Sequence, residues 1–170
     1  MTASATFVNF AYGSNMSTRR LRQRTPSARP VGVGQLGGHR LMWHKIGQDG
    51  SAKCDILETG RPHDIVWGVL FEIALADRPS LDRAEGLGNG YEHKSVSVLT
   101  DAGMQAAGAY YATHIDANLR PFDWYLAFVL QGAHEHGLPA HYLASIESVG
   151  AVVDTDIDRR ERNFALLRDL

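Results

Sequence analysis

Apolar residues cluster in short runs or alternating stretches over the first two thirds of the chain and recur at helical spacing over the last third. Residues 7–12 (FVNFAY) form an apolar and aromatic run ending at Gly13, the pattern of a buried strand entering a tight turn. Ser17 then offers a hydroxyl cap to a short helix over 18–23, which Pro26 and Pro30 prevent from continuing. Between 31 and 58, glycines at 32, 34, 37, 38, 47 and 50 interrupt Leu41-Met42-Trp43 and Cys54-Asp55-Ile56-Leu57, so strands joined by turns and bulges are expected. Residues 65–74 (IVWGVLFEIA), β-branched and aromatic with a single charge, predict a central strand.

After Pro79, residues 80–85 predict a short helix with Ser80 near its start, ended by Gly86-Leu87-Gly88-Asn89-Gly90. Glu85 therefore stands at a helix end beside a flexible turn. Residues 91–100 alternate through Val96 and Val98, and 105–115 supply a second strand after the Asp101-Ala102-Gly103 turn, which together make a hairpin. Residues 122–136 place Tyr125, Leu126, Val129, Leu130 and Ala133 at helical spacing, with Gly137 as cap and Pro139 opening a second helix. The tail, 156–170, has charged and apolar faces and predicts a packed terminal helix. Strands up to 115 followed by helices, without regular βαβ alternation, argue an α+β fold with a mixed, largely antiparallel sheet, and closure of that sheet into a small barrel is compatible with the pattern. One domain over residues 1–170 is expected, since no repeat or linker divides the chain.

Composition narrows the function. With 44% hydrophobic and 21% charged residues the chain can bury a globular core. Lys plus Arg number 17 against 19 Asp plus Glu, so no field of one sign exists to gather nucleic acid or an anionic membrane. The single cysteine, Cys54, excludes an intrachain disulfide and fits a reducing compartment; a buried structural thiol is the simplest role for it. The first six residues lack a basic targeting segment, and no apolar run reaches the roughly 18 residues of a membrane helix, so a cytoplasmic protein without a membrane partner is expected.

Two features carry chemistry. Tyr12-Gly13-Ser14-Asn15 followed by a capped helix gathers N–H groups suited to a carboxylate or a developing oxyanion, although an ordinary glycine turn has the same pattern. Glu85 sits where the helix dipole disfavours it, and the glycines after it allow close approach of a substrate, with Tyr91 following at a strand start. His134-Glu135-His136 and His141 lack His-Glu-x-x-His spacing, and alternate helical positions point apart, so no metal is expected and a solvated helix end is the simpler reading. Arg19, Arg20, Arg22 and Arg24 could steer an anionic substrate, but a solvated face is again simpler.

Phe10-Ala11-Tyr12-Gly13-Ser14-Asn15, Val66-Trp67-Gly68-Val69, Leu81-Asp82 with Glu85-Gly86, Gly90-Tyr91, and Gly132 with Gly137-Leu138-Pro139 and Tyr142 occur in that order. Together they resemble the γ-glutamylcyclotransferase (AIG2-like) family. The resemblance implies a small mixed β-barrel with flanking helices, a small γ-glutamyl substrate and no cofactor. It makes Glu85 the acid/base, has the segment from Phe10 and Ala11 through Tyr12, Gly13, Ser14 and Asn15 hold the γ-glutamyl group, and lines the pocket with Tyr91 and Tyr125. Met16 stands where leucine is common and His136 where asparagine is common, departures that touch packing or the rim.

The implied reaction is attack of the substrate α-amine on its own γ-carbonyl, giving 5-oxoproline and a departing amine or amino acid. A free α-ammonium titrates near about 7.8 and a free glutamate near about 4.3, a mismatch of about 5 kcal/mol that makes a water-exposed glutamate a poor base. The catalytic carboxylate must therefore be sheltered. A non-catalytic binding module with the same cavity and a metal hydrolase using the late histidines are the alternatives. The leaving group is not legible, and a homodimer is left open.

Overall fold

A computed structural model describes residues 5–168. Its elements run β1 (Thr6–Ala11), α1 (Thr18–Arg24), β2 (Arg29–Gly37), β3 (His39–Ile46), β4 (Ala52–Glu58), β5 (Ile65–Ala74), α2 (Arg78–Glu85), β6 (Tyr91–Thr100), β7 (Gly103–Ala112), α3 (Asp123–Glu135), α4 (Ala140–Glu147) and α5 (Ile157–Arg168). Strands β1-β5-β2-β6-β7 close into a barrel in that order, and β3 and β4 form a separate hairpin. The strongly apolar β5 is central as its composition predicts, antiparallel to β1 on one side and β2 on the other. The seam between β1 and β7 is parallel, with Asn9 opposite Gly108, which makes the barrel mixed.

Several elements differ from expectation for local reasons. Strand β2 contains Pro30, Gly32, Gly34 and Gly37, residues that read as breakers. Pro30 lies at a register shift in the β2–β5 pairing, where a missing N–H is tolerated. Gly34 is required because a Cβ there would lie 2.9 Å from the Leu99 carbonyl oxygen and against Val98. Helix α2 begins at Arg78, ahead of Ser80, and takes Pro79 into its first turn, where the absent donor costs no helical bond. Strand β1 stops at Ala11, so Tyr12 leaves the ladder for the turn, and β7 stops at Ala112, with Ile115 making only an isolated bridge to Lys45. The tail reading extends to Leu170 and the targeting reading covers Met1 to Ser4; residues 1–4 and 169–170 lie outside the described residues.

The core is built from Phe10, Val69, Leu70, Phe71, Phe128 and Ile146, each at most 2% exposed, with burial of each such side chain contributing roughly 1.5–3 kcal/mol. Helix α3 seats directly on the turn after β1: a Cβ on Gly132 would lie 2.5 Å from the Met16 carbonyl carbon, so only glycine allows this approach. From the other side, the α3 residue Trp124 donates its indole N–H to Asp154 (2.9 Å), and Arg159 of α5 grips the same carboxylate with two bonds of 2.6 Å. The terminal helix thereby braces an aromatic that faces the candidate site. No helix among the described residues is long and apolar enough to cross a membrane.

Candidate active site

A cavity of about 310 Å³ opens beside the end of β1, and its wall includes all the residues from Phe10 to Asn15 together with Glu85, Tyr91 and Tyr125. The sequence-predicted site residues therefore converge on one space, although they come from β1, α2, β6 and α3. Residues Ser14–Met16 form a single 3₁₀ turn. Its own hydrogen bonds run from Met16 N–H to Gly13 O (3.1 Å) and from Ser17 N–H to Ser14 O (3.2 Å), which leaves the amides of Gly13, Ser14 and Asn15 out of the turn's ladder. Gly13 has an ordinary negative φ of −113°, so space rather than strain explains it: a Cβ would lie 3.1 Å from Cys54 Cβ and 3.2 Å from the Tyr125 hydroxyl.

Glu85 is the last residue of α2, and Gly86 behind it adopts the left-handed conformation (φ 71°) that ends the helix. Its side chain is 15% exposed. The Asn15 side-chain amide donates to Glu85 Oε1, and Arg24 donates to Asn15 Oδ1 (2.9 Å) while lying 3.7 Å from Glu85 Oε1. A hydrogen-bonded chain from α1 through the turn to α2 thus holds the carboxylate toward the amide-lined segment.

Buried phenols form the remaining wall. Tyr91 donates to the Cys54 carbonyl (2.5 Å), the Cys54 N–H donates to the Tyr125 hydroxyl (3.0 Å), and Tyr12 donates to the Tyr110 carbonyl (2.5 Å). Burial first, and neighbouring ionisable groups second, push the phenols of Tyr12, Tyr91 and Tyr125 well above the ordinary tyrosine range, so they stay neutral. Burial likewise pushes the Cys54 thiol up to about 12, which leaves almost no thiolate near neutral pH.

Other lining residues depart from the sequence reading. Arg20 and Arg24 do not form a solvated face: spaced by four on α1, they share a side that packs into the cavity. Arg20 donates to the Ser14 hydroxyl (3.2 Å) with its guanidinium 4.4 Å from the centre of the Phe128 ring, and burial followed by Arg24 lowers it to about 10. Lys45, Asp49, Lys53 and Tyr110 line the space without having been singled out. Lys53 ion-pairs with Asp49 (2.8 Å) above the rings of Trp124 and Tyr125 (4.8 and 4.6 Å). The available signal was a lysine inside each of two largely apolar strand runs, LMWHKI and AKCDIL.

The late histidines do not converge. His136 is half-buried, its Nε2 3.0 Å from the Met16 carbonyl and 3.1 Å from the Thr18 hydroxyl and its ring edge-on to Phe71, so it packs against the turn rather than ending a solvated helix. His134 is exposed and faces Glu147 (3.8 Å).

Comparison with known proteins agrees with this architecture. Residues 65–146 match the AIG2-like family. The bovine (Bos taurus) γ-glutamylcyclotransferase is 31% identical over 155 residues, covering 84% of this chain and 78% of the relative, and the human (Homo sapiens) protein of the same name is 30% identical with the same coverage. A solved γ-glutamyl cyclotransferase structure superposes with a TM-score of 0.81 at 28% identity, over 93% of this chain and 99% of that one. Barrel, turn and carboxylate thus coincide with a broad likeness in sequence and in fold, and the chain belongs to the γ-glutamylcyclotransferase family, as an enzyme of that kind.

Proposed function

We propose that this enzyme cyclises γ-glutamyl compounds to 5-oxoproline, releasing an amine or amino acid, with Glu85 as the general acid and base. The observation that carries the reading is the hydrogen bond from Asn15 to Glu85, which fixes a sheltered carboxylate against the segment whose Gly13, Ser14 and Asn15 amides lie outside the turn's own hydrogen bonds. Glu85 takes a proton from the substrate α-ammonium, and the freed amine attacks the γ-carbonyl carbon. The electron pair displaced onto the carbonyl oxygen is met by the amides of Gly13 to Asn15. As the tetrahedral centre collapses, the carbonyl re-forms, the bond to the departing nitrogen breaks and Glu85 returns its proton to that nitrogen; the second proton of the ring nitrogen passes through the same carboxylate to the released amine, which leaves as an ammonium. One carboxylate therefore serves every transfer and ends as it began. No protein nucleophile is needed, in keeping with a Cys54 thiol held protonated by burial.

The walls supply the rest. A cavity of about 310 Å³ with aromatic sides can enforce the folded near-attack conformer that brings amine and carbonyl together. Tyr91 and Tyr125, neutral and anchored to the Cys54 backbone, keep that shape rigid. Incubating the protein with a panel of γ-glutamyl amino acids, peptides and amines, with 5-oxoproline detected by mass spectrometry, tests the reading. Release from at least one class is expected, and no release from any would end it.

A further inference from the structure

Four cations face the cavity, and two of them have carboxylate partners. Lys53 is paired with Asp49, and Arg24 lies 3.7 Å from Glu85. Among the described residues no carboxylate comes within ion-pairing distance of Arg20 or Lys45. Arg20 bonds the Ser14 hydroxyl at the turn. Lys45 is the more unusual group: the residue is 7% exposed, its ammonium lies 4.7 Å from the centre of the Tyr91 ring, and no acceptor among the described residues bonds it.

The fold makes specific provision for this side chain. A register shift between Trp43 and Lys45 in the β3–β4 pairing breaks the alternation of the strand, so His44 and Lys45 are both buried. His44 is satisfied by Asp55 at 2.7 Å, which leaves Lys45 facing the cavity. Gly90, with φ of 118°, vacates the space beside it: a Cβ there would lie 3.0 Å from Lys45 Cε and 3.3 Å from Nζ. Burial draws the ammonium below the ordinary lysine value, and Glu85 and Asp49 pull it back only in part. A buried cation without an anion is costly, and a ligand that brings one removes the cost.

A γ-glutamyl group has a single carboxylate, and of the two arginines bonded to the turn Arg20 is the one without a carboxylate partner among the described residues, Arg24 lying beside Glu85. Lys45 approaches from the β3–β4 hairpin over Tyr91. We propose that Lys45 binds a carboxylate on the leaving half of the substrate while Arg20 takes the γ-glutamyl carboxylate, so that Lys45 selects γ-glutamyl compounds whose departing amine carries its own negative charge. The assignment rests on the cyclotransferase reading above.

The test compares γ-glutamylalanine with γ-glutamylethylamide, which differ by that one carboxylate. Wild type should favour the alanine compound in kcat/KM by roughly 10- to 100-fold, the range of one charge-assisted hydrogen bond. The ratio should fall towards one in Lys45→Met and stay higher in Lys45→Arg. A partly folded variant lowers both rates alike, so the ratio remains informative. A wild type that does not discriminate, or a Lys45→Met ratio unchanged from wild type, overturns the assignment. Should wild type turn over neither compound, the reaction reading fails separately. Calorimetry on Glu85→Gln then decides on Lys45: tighter binding of the alanine compound, lost in Glu85→Gln/Lys45→Met, upholds it, and equal or absent binding overturns it.

Discussion

Replacing Asn15 with alanine isolates the positioning of Glu85. Asn15 is 9% exposed, and its amide group spans Glu85 and Arg24, donating to the first and accepting from the second at 2.9 Å. Hydrogen bonds to charged partners contribute about 1.5–3 kcal/mol each when fully buried. Glu85 and Arg24 retain 15% and 27% side-chain exposure and stand 3.7 Å apart, so water and a direct contact can replace part of what is lost. The net destabilisation should then be about 1–3 kcal/mol, measurable by denaturant unfolding. Activity should fall further than stability suggests, because a carboxylate displaced by about 1 Å can cost roughly 100-fold in a reaction that depends on alignment. The decisive assay is a double-mutant cycle in 5-oxoproline release. If Asn15 acts through Glu85, Asn15→Ala should reduce turnover strongly in wild type and only slightly in Glu85→Gln. Equal reduction in both backgrounds, or undiminished turnover in the single variant, would refute the reasoning.

Cys54→Ala should retain cyclisation within a few-fold, because the thiol stays protonated and the backbone groups that anchor Tyr91 and Tyr125 remain; loss of all turnover with the fold intact would point to a covalent role. The Asp154 carboxyl is held below the usual carboxylate range, by Arg159 above all and also by Trp124. Its contribution to stability is therefore present above the unfolded carboxylate value, about 3.9, and is lost as pH falls through the lower folded value. Asp154→Asn should lower the melting temperature at neutral pH and flatten the acid limb of the stability curve, as thermal scans from pH 7 downward would show.

Much of the barrel was legible because its strands obey local rules. The runs at 65–74 and 91–100 coincide with β5 and β6, where apolar content or alternation leaves little choice. Strands were expected over 31–58, but the bounds of β2 were not legible, because glycines that read as breaks lie inside it and Gly34 answers to Val98 and Leu99, residues far along the chain. The turn and Glu85 were visible as local oddities, a glycine turn before a capped helix and a glutamate at an unfavourable helix end. Their meeting through Asn15 is a tertiary fact. The same holds for the cations: Arg20 and Lys45 come from α1 and β3, and neither segment indicates that both side chains enter one cavity or that Lys45 escapes alternation through a register shift.

The most direct measurement is 5-oxoproline release by Glu85→Gln beside wild type, on a γ-glutamyl substrate that wild type converts. Glutamine keeps the size and can still contact Asn15, but it cannot accept and return a proton. Release should disappear while circular dichroism and melting temperature stay close to wild type. Sustained release from a folded Glu85→Gln would contradict the assignment of proton transfer to this side chain.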